Sequence, residues 1–511
     1  MKRIRNILTS RVFLWCFSAI LQVSWILVIL FILNQNSRIL YWMTTGLAIL
    51  TVLIIVNKKD NPSYKLAWSV LILSIPVLGL VTYGFFGLPS LTRAKKEAFQ
   101  MVHEIAIFPL PGNQEVIERV ANRSRGASKQ VEYITKWSSY PIYEHTQSTY
   151  YSTGEKMFPA MLEDIKKAKE FIFLEFFILA PGYMLDTILD LLELKVKEGV
   201  EVRFIYDDLG SVFTTGKNYY KEIQKRGIQC VKFNPLKPIL SVVMNNRDHR
   251  KILVIDGKVG FTGGINLADE YINRIERFGY WKDTGLRIEG PAVDNFTSMF
   301  LEMWDFSANT QENVKHYLFR YQEDQLPESD GFVLPYADSP MDHEKVGENV
   351  YLNIVNRAKD YIYIFTPYLI IDNEMMTALC NASKSGVDIH IVTPGIPDKK
   401  LVFWLTQSYY DQLIEAGVSI HEFTPGFIHA KVFVCDDVIA TVGTINMDYR
   451  SLYLHYECGV WMFRTNAIEQ IKKDALATIK DSRTITLEQC IHRSWGEQTI
   501  RGILRLFAPL L

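Results

Sequence analysis

The chain contains 511 residues, of which 48% are hydrophobic and 22% are charged, and its formal net charge is −1. Residues 1–90 hold eight basic residues and one acidic residue, so the rest of the chain carries a net charge of −8. A net acidic body lacks the basic surface of a nucleic-acid-binding protein, and we expect no nucleic-acid partner. The six cysteines show no CxxC pair and no metal-type spacing, so we expect buried, reduced thiols instead of a disulfide framework.

Three hydrophobic runs lie near the amino terminus: Val12–Leu33, Ile39–Val56 and Leu66–Leu88. The first two contain no charged residue over 22 and 18 positions, and the third contains Pro76. Because a transmembrane helix needs about 20 apolar residues, residues 1–90 are predicted to form a membrane anchor with two to three helices. The first run is too long for the apolar part of a signal peptide, and no small-residue cleavage site follows it.

The basic residues leave the orientation of this anchor open. Four lie before the first run and three lie between the second and third runs, which favours a cytoplasmic amino terminus and a cytoplasmic 57–65 loop. Three full spans would then export the remainder of the chain, whereas Arg93, Lys95 and Lys96 favour keeping it inside. We therefore expect a multi-pass membrane protein and assign no side to the rest of the chain.

After a predicted linker over 91–135, the chain repeats itself. The apolar, aromatic segments Phe171–Ile178 and Tyr361–Tyr368 correspond to each other, and each precedes two further β-branched runs. The later pairs are Gly199–Ile205 with Gly386–Val392, and Arg226–Pro235 with Ala416–Pro425. Such runs, separated by helical stretches, are typical of βαβ units with a parallel sheet. The predicted fold class is α/β, with two tandem halves over 136–320 and 321–511 related by pseudo-twofold symmetry.

Each half contains one copy of the signature His-x-Lys-x4-Asp-x6-Gly-x2-Asn. The first copy consists of His249, Lys251, Asp256, Gly263 and Asn266. The second copy consists of His429, Lys431, Asp436, Gly443 and Asn446. Because side chains alternate faces along a strand, the histidine and lysine of each copy are predicted to project together. A hairpin turn at each aspartate, with Asp256-Gly257 as the stronger signal, should return the asparagine to the same edge.

An imidazole, an ammonium group and an amide gathered in this way suit phosphodiester chemistry. A neutral imidazole can attack phosphorus, and a second, protonated imidazole can donate to the leaving alcohol and then accept from the incoming one. Which of His249 and His429 is the nucleophile is left open. Lys251 and Lys431 are predicted to hold phosphate oxygens.

The remaining signature residues have predicted supporting roles. Asn266 and Asn446 would add hydrogen bonds to the phosphate. Asp256 and Asp436 complete the catalytic signature, in which we expect them to fix the turn and the local charge balance more than to touch substrate. No ligand cluster has metal spacing, so neither a metal nor another cofactor is expected.

The duplicated signature resembles the double HKD motif of the phospholipase D superfamily, and the chain is most similar to bacterial cardiolipin synthases of that type. The segment Asn57–Trp68 resembles the membrane region of that family. The segments Asn246–Gly257 and Trp281–Thr284 resemble its first motif, and His429–Ser451 resembles its second. His455 stands where an asparagine is common in the family.

The resemblance implies a membrane-bound transphosphatidylase of the bacterial plasma membrane. It would form cardiolipin and glycerol from two phosphatidylglycerol molecules through a phosphatidyl-histidine intermediate, with membrane lipid as its partner and no obligatory protein partner. The family also implies a downstream carboxylate that orients each imidazole, for which Asp283 and Glu457 are the candidates.

Other functions are compatible with parts of this pattern. A phospholipase D hydrolase, or a transferase to another head-group alcohol, would use the same residues. A nuclease of the superfamily is disfavoured by the acidic body and the anchor, and a non-catalytic scaffold by the two complete signatures.

The carboxyl-terminal segment, Thr486–Leu511, has apolar residues at near-helical spacing together with Arg493, Arg501 and Arg505. Two interpretations stay open: an amphipathic helix packed on the domain, or a helix that binds an anionic lipid surface.

Overall fold

The computed structural model describes residues 38–87, 93–112, 114–235, 246–342, 344–491 and 494–510, together with positions 20, 24, 27, 28 and 31. From residue 38 onward, its amino-terminal part contains three α-helices followed by a π-helical turn over Tyr83–Gly87. The helices are α1 (Arg38–Asn57), α2 (Pro62–Ser74) and α3 (Pro76–Thr82).

These helices can be compared with the three hydrophobic runs of the predicted membrane anchor. The run Ile39–Val56 forms α1, whereas the run Leu66–Leu88 is divided at Pro76, because proline suits the first turn of a helix and not its interior. The run Val12–Leu33 lies almost entirely outside the described residues. Within the described ranges, no helix combines the length and the apolar character that crossing a membrane requires.

The start of α2 is fixed to the carboxyl-terminal half of the chain. The Asn61 carbonyl caps the helix by accepting from the backbone amide of Ser63 at 2.9 Å. The Asn61 amide nitrogen donates to Asp372 at 3.0 Å and to the Tyr453 hydroxyl at 2.7 Å. Asn61 and Asp372 are both buried, so this polar contact connects the amino-terminal helices to the body of the protein.

The predicted linker over 91–135 is largely helical. It contains α4 (Arg93–Ile107), α5 (Gln114–Arg123) and α6 (Arg125–Ser138). The hydroxyl of Ser124, the residue before α6, accepts from the amide of Ala127 at 3.2 Å, the contact expected of a helix amino-terminal cap.

The first half follows as a seven-stranded sheet in the order β1-β8-β6-β5-β2-β3-β4, with helices between the strands. Its strands are β1 (Gln147–Tyr151), β2 (Phe171–Phe176), β3 (Glu201–Asp207), β4 (Gln229–Phe233), β5 (Ile252–Ile255), β6 (Val259–Gly263), β7 (Tyr280–Lys282) and β8 (Gly285–Glu289). Its helices are α7 (Gly154–Lys167), α8 (Tyr183–Lys197), α9 (Tyr219–Gln224) and α10 (Val293–Ala308). Strand β7 is outside this sheet and pairs with a strand of the second half.

The second half forms an eight-stranded sheet in the order β19-β13-β12-β10-β15-β16-β18-β9. Its strands are β9 (Phe332–Asp338), β10 (Tyr361–Phe365), β11 (Leu369–Ile370), β12 (Asp388–Pro394), β13 (Ser419–Phe423), β14 (Gly426–Ile428), β15 (Val432–Cys435), β16 (Ile439–Gly443), β17 (Met447–Asp448), β18 (Glu457–Phe463) and β19 (Ser482–Thr484). Its helices are α11 (Val346–Arg357), α12 (Asn373–Lys384), α13 (Lys400–Gln407), α14 (Tyr410–Glu415), α15 (Tyr449–Tyr453), α16 (Asn466–Lys480), α17 (Leu487–Ile491) and α18 (Trp495–Phe507).

The predicted α/β class with two sheet-containing halves is confirmed, but the expectation of a parallel sheet is only half correct. Strands β2, β3 and β4 are parallel, whereas β2-β5, β5-β6, β6-β8 and β8-β1 pair antiparallel, and the second sheet repeats this division. The tight turn inside each signature accounts for one of these pairs in each sheet, β5-β6 and β15-β16, since a tight turn joins antiparallel neighbours.

The two turns have the same backbone conformation. Asp256 and Gly257 have φ values of 51° and 65°, and Asp436 and Asp437 have 52° and 57°. Two consecutive positive φ values match the type I′ turn that joins twisted strands well. The weaker Asp-Asp signal therefore specifies the same hairpin as Asp-Gly.

One hydrophobic core spans both halves. Helix α10 is buried at every residue from Val293 to Asp305, and it packs against β2 and β5 on one side and β9 on the other. Helix α4 packs on α10, and α6 packs on β9 and α11. A second core lies on the other face of the first sheet, beneath α7 and α8. The shared core holds the two sheets, and hence the two signatures, in a fixed relation.

Candidate active site

Two short backbone pairings cross the boundary between the halves and bring the signatures together. The His249 amide donates to the carbonyl of Tyr456 at 2.9 Å. The His429 amide donates to the carbonyl of Lys282 at 2.7 Å, at the end of a parallel pairing between β14 and β7. Each of these carbonyls belongs to the residue immediately before a carboxylate, so each pairing places an acidic side chain of one half beside the histidine of the other.

Each histidine is hydrogen-bonded through Nδ1 to the carboxylate of the other half. His249 Nδ1 lies 2.8 Å from Glu457 Oε1, and His429 Nδ1 lies 2.7 Å from Asp283 Oδ2. All four side chains are buried. A carboxylate on Nδ1 fixes the ring and its tautomer, and it leaves Nε2 as the nitrogen for chemistry. The structure thus brings both predicted orienting carboxylates to the histidines, in a crossed arrangement.

The two signature lysines are buried beside these histidines. Lys251 Nζ donates to the His249 carbonyl at 2.5 Å, and Lys431 Nζ donates to the His429 carbonyl. Burial lowers the pKa of Lys251 to about 8 and that of Lys431 to about 7. Two enclosed ammonium groups that repel each other are stabilised by an anion, so the site is suited to a phosphate group.

Both imidazoles are held in the neutral form. Burial and the neighbouring Lys431 lower the pKa of His429 to about 4. Burial and Lys251 lower the pKa of His249 well below its usual value. A neutral imidazole has a free electron pair on nitrogen, which a nucleophile requires. Burial raises the pKa of Glu457, whereas the positive charge of Lys251 and the hydrogen bond from Thr444 favour its carboxylate form.

The signature aspartates lie at the far end of the motif strands. Asp256 accepts from the backbone amides of Lys169, Glu170 and Phe171 at 2.9, 2.8 and 3.0 Å. Strand β5 separates Asp256 from His249, a distance of about 20 Å along the chain. These contacts support a role in fixing the turn, and they are not those of a group that touches the reacting phosphate.

Asp436 repeats this arrangement in the second half. It accepts from the backbone amides of Lys359, Asp360 and Tyr361 at 2.8, 3.0 and 2.9 Å. In both halves the aspartate therefore ties its hairpin to the start of the neighbouring strand.

The two signature asparagines differ in their contacts. The Asn266 carbonyl accepts from the amide of Ile178 at 3.0 Å, and its amide nitrogen donates to the Tyr271 hydroxyl at 2.7 Å. Asn446 is also buried, but among the described residues its Oδ1 atom has no hydrogen-bond partner. Both polar atoms of the Asn266 side chain thus bind protein groups, whereas the sequence predicted that this side chain binds phosphate.

Sequence comparison matches this architecture to known proteins. A family model described as the PLD-like domain of cardiolipin synthase matches residues 161–304 and 351–477. A second model, described as the phospholipase D-nuclease N-terminal region, matches residues 46–87. The chain belongs to the cardiolipin synthase family of phospholipase D-like enzymes.

The chain is also similar to individual proteins and to a solved structure. A cardiolipin synthase of Alkalihalophilus pseudofirmus is 32% identical over 92% of this chain and 95% of its own length. An uncharacterized protein of Streptococcus mutans is 44% identical over 90% of this chain and 99% of its own length. A phosphatidylserine synthase from Haemophilus influenzae has the same fold, with a TM-score of 0.56 and 15% identity over 75% of this chain and 98% of that one.

The sequence did not predict the rings that surround the two histidines of this cardiolipin synthase-family site. The centroid of the His429 ring lies 5.5 Å from that of Tyr271, 5.7 Å from that of Trp281 and 5.9 Å from that of Phe427. Aromatic residues are common in cores, and Tyr271 and Trp281 approach His429 only across the boundary between the halves. No local sequence signal could have distinguished them from core residues.

His249 has different neighbours. Its ring lies 4.9 Å from Phe177 and 5.6 Å from His455. His455 precedes Glu457 by two residues, as Trp281 precedes Asp283, so the two rings occupy equivalent positions in the two halves. The site therefore has a more polar side at His249 and a more aromatic side at His429.

The residues that hold the two carboxylates also differ. The Thr444 hydroxyl donates to Glu457. The equivalent residue in the first half is Gly264, where an added Cβ would lie 2.1 Å from Asp283 Oδ1. The glycine makes room for the shorter acid, whereas the threonine binds the longer one.

His249, His455 and Glu457 are the described residues whose ligand atoms approach closely enough, within 4.8 Å of one another, to be considered as a metal site. The Nδ1 atom of His249 is already bonded to Glu457. Burial lowers the pKa of both His249 and His455, and the positive charge of Lys251 lowers it further; the same charge opposes a cation. The cluster is therefore a poor fit for a metal ion.

Proposed function

We propose that this protein is a membrane-bound transphosphatidylase that forms cardiolipin and glycerol from two phosphatidylglycerol molecules through a phosphatidyl-histidine intermediate. The observation that carries the proposal is the pair of crossed contacts, His249 with Glu457 and His429 with Asp283. Two oriented imidazoles beside two buried lysines supply a nucleophile, an acid and charge compensation for one phosphate.

In the first step, Nε2 of one histidine attacks the phosphorus of phosphatidylglycerol. The nitrogen–phosphorus bond forms, the bond from phosphorus to the glycerol oxygen breaks, and the second histidine gives its proton to the departing glycerol. The bound phosphate anion favours the proton on that second histidine, because it offsets the charge of Lys251 and Lys431.

In the second step, a head-group hydroxyl of another phosphatidylglycerol attacks the same phosphorus. The nitrogen–phosphorus bond breaks, its electron pair returns to Nε2, and the second histidine takes the hydroxyl proton. The lysines hold the non-bridging oxygens throughout, so the proposal requires no cofactor. Glu457 and Asp283 keep the imidazoles oriented during both steps.

The membrane part of the proposal rests on exposed apolar side chains in the amino-terminal helices. On α1, the most exposed are Ile39, Trp42, Met43, Leu53 and Val56. A row of this kind is unfavourable in water and favourable in lipid. We propose attachment to the bacterial plasma membrane through this region, with more than one pass across it.

The test uses purified full-length protein in vesicles that contain phosphatidylglycerol labelled in its outer glycerol. We expect cardiolipin and free glycerol in equal amounts. Phosphatidic acid as the main product would support a hydrolase instead, and a new phospholipid formed only with an added alcohol would support transfer to another head group. A His429→Ala variant is the inactive control.

A further inference from the structure

Helix α18, near the carboxyl terminus, exposes an apolar face. Trp495 is 82% exposed, Ile500 43% and Ile503 54%. At about 100° per residue these three side chains lie within an arc of about 140° on one side of the helix. Large apolar side chains grouped in this way are uncommon on a surface that faces only water.

The opposite face of α18 is attached to the protein through arginines. Arg501 is buried, and its Nη2 donates to Gln407 Oε1 at 2.9 Å. Arg505 Nη1 donates to the Ser408 carbonyl at 3.2 Å, and its guanidinium lies 4.5 Å from the centre of the Tyr409 ring. In an ordinary surface helix the apolar side faces the core and the charged side faces water. Here Arg501 faces the protein together with Leu504, while Trp495, Ile500 and Ile503 face outward.

The surroundings of α18 extend the apolar surface. The helix packs against α2, on which Leu66 and Leu73 are more than half exposed. The turn Ala508–Leu510 follows α18, and Leu510 packs on the hydrophobic cluster formed by α1, α2 and Tyr83. The exposed face of α18 is thus next to the region that we propose to be in the membrane.

Helix α13, which also packs on α18, connects it to the surroundings of the active site through a series of contacts. On α13, Leu401 is 59% exposed. Just before α13, Asp398 accepts from the Tyr368 hydroxyl at 2.7 Å. The Tyr368 ring lies 6.5 Å from Phe427, which is 5.9 Å from His429. A surface in contact with α18 is therefore near the aromatic side of the catalytic site.

We propose that α18 lies in the plane of the lipid bilayer surface, with Trp495, Ile500 and Ile503 among the acyl chains and with Arg501 and Arg505 fixing the helix to the catalytic half. The inference rests on the proposed function, since a phospholipid substrate requires the site to face a bilayer. The outward-facing apolar side chains, the adjacent α2 and a tryptophan at the edge of the face are what an interfacial helix requires.

The first test compares two physical forms of the substrate. A full-length Ile500→Ser/Ile503→Ser variant keeps the arginine contacts and loses apolar surface. We expect turnover of phosphatidylglycerol in vesicles to fall about tenfold, and turnover of a short-chain phosphatidylglycerol below its micelle concentration to stay within about twofold. The control is Leu194→Ser on α8, a helix that packs on elements of the first half, where Leu194 is 55% exposed. This variant should alter neither rate.

The second test does not depend on activity. Vesicles with bromine-substituted acyl chains should quench the wild-type protein more than a Trp495→Phe variant, because a tryptophan within the acyl region is lost. If the vesicles quench the wild-type protein more than the variant but no cardiolipin forms, the proposed function is wrong and the proposed position of α18 stands.

Three results would overturn the proposed position of α18. The first is equal fluorescence quenching of the wild-type protein and the Trp495→Phe variant. The second is an equal loss of turnover by the serine variant on vesicles and on short-chain substrate. The third is a loss of self-association in the serine variant, which would show that the face binds a second copy.

Discussion

The two halves of the active site present the same signature in unequal surroundings. At His249, the partner carboxylate is Glu457, a threonine donates to it, and His455 lies beside the ring. At His429, the partner is the shorter Asp283, and Trp281 occupies the equivalent place beside the ring. The duplicated residues define the reaction, whereas the residues that were free to diverge make one side polar and the other aromatic.

This difference suggests a division of labour. The polar side offers hydrogen-bonding groups near His249, while the aromatic side surrounds His429 with apolar rings. A two-step transfer needs both properties, because a covalent intermediate must be protected from water and an alcohol must be activated.

Removal of either imidazole should have the largest effect. We expect His249→Ala and His429→Ala each to lower turnover by about 10⁴-fold or more, because each step requires both a nucleophile and an acid–base group. The variants His249→Asn and His429→Asn should differ: one should accumulate a phosphatidyl adduct on the remaining histidine and the other should form none. Mass spectrometry of the quenched protein identifies the modified peptide. Normal turnover in either alanine variant would contradict a shared site.

The crossed carboxylates should come next. We expect Glu457→Gln and Asp283→Asn to lower turnover by about 10³-fold, since a neutral amide no longer favours the productive ring tautomer. The crossing makes a specific prediction: Glu457→Gln should change the titration of His249 in NMR spectra, and Asp283→Asn that of His429. A change in the histidine of the same half would show that the pairing is wrong.

The residues behind the carboxylates test their asymmetry. Gly264→Ala should lower turnover by about 10²-fold, because its methyl group must displace Asp283, and Thr444→Val should lower it by about tenfold through the loss of one donor. A Gly112→Ala variant is the control, since no atom lies within 4 Å of its added Cβ. Equal effects of the first two changes would argue that the half-sites are equivalent.

Anion binding should depend on pH through the lysines. Their depressed pKa values, about 8 for Lys251 and about 7 for Lys431, mean that the charged forms are present at low pH and lost as pH rises through 7 and 8. Inhibition by sulfate, whose own charge is constant here, should weaken about tenfold from pH 6 to pH 9. A Lys431→Arg variant should show a flatter profile.

The smallest expected effect is that of chelation. EDTA should leave turnover unchanged, because the lysines supply the positive charge that a metal would otherwise provide. Complete loss of activity, restored by one divalent ion, would contradict this and would direct attention to the cluster at His455.

Much of this molecule could be predicted from sequence because the evidence was local. The hairpin predicted at Asp256 is present, with the expected turn and with β6 as its returning strand. The family assignment, made from identical spacing in two places, is confirmed by the family models.

What the sequence did not reveal depends on contacts between distant residues. The pairing of His249 with Glu457 spans 208 positions, and that of His429 with Asp283 spans 146. Of the antiparallel pairs, the sequence predicted only the hairpins β5-β6 and β15-β16, because the other antiparallel neighbours are far apart in the chain. For α18 the spacing predicted an amphipathic helix, but only the contacts of Arg501 show which face packs on the protein.

The crossed contacts also constrain how such a chain could have arisen. A single half on its own would have a histidine without its carboxylate, so an ancestor with one signature could have been active only as a homodimer. Fusion of two copies in one gene removed the requirement that both subunits be identical. Glu457 and Asp283, or Thr444 and Gly264, could then change independently, which an exact twofold axis forbids.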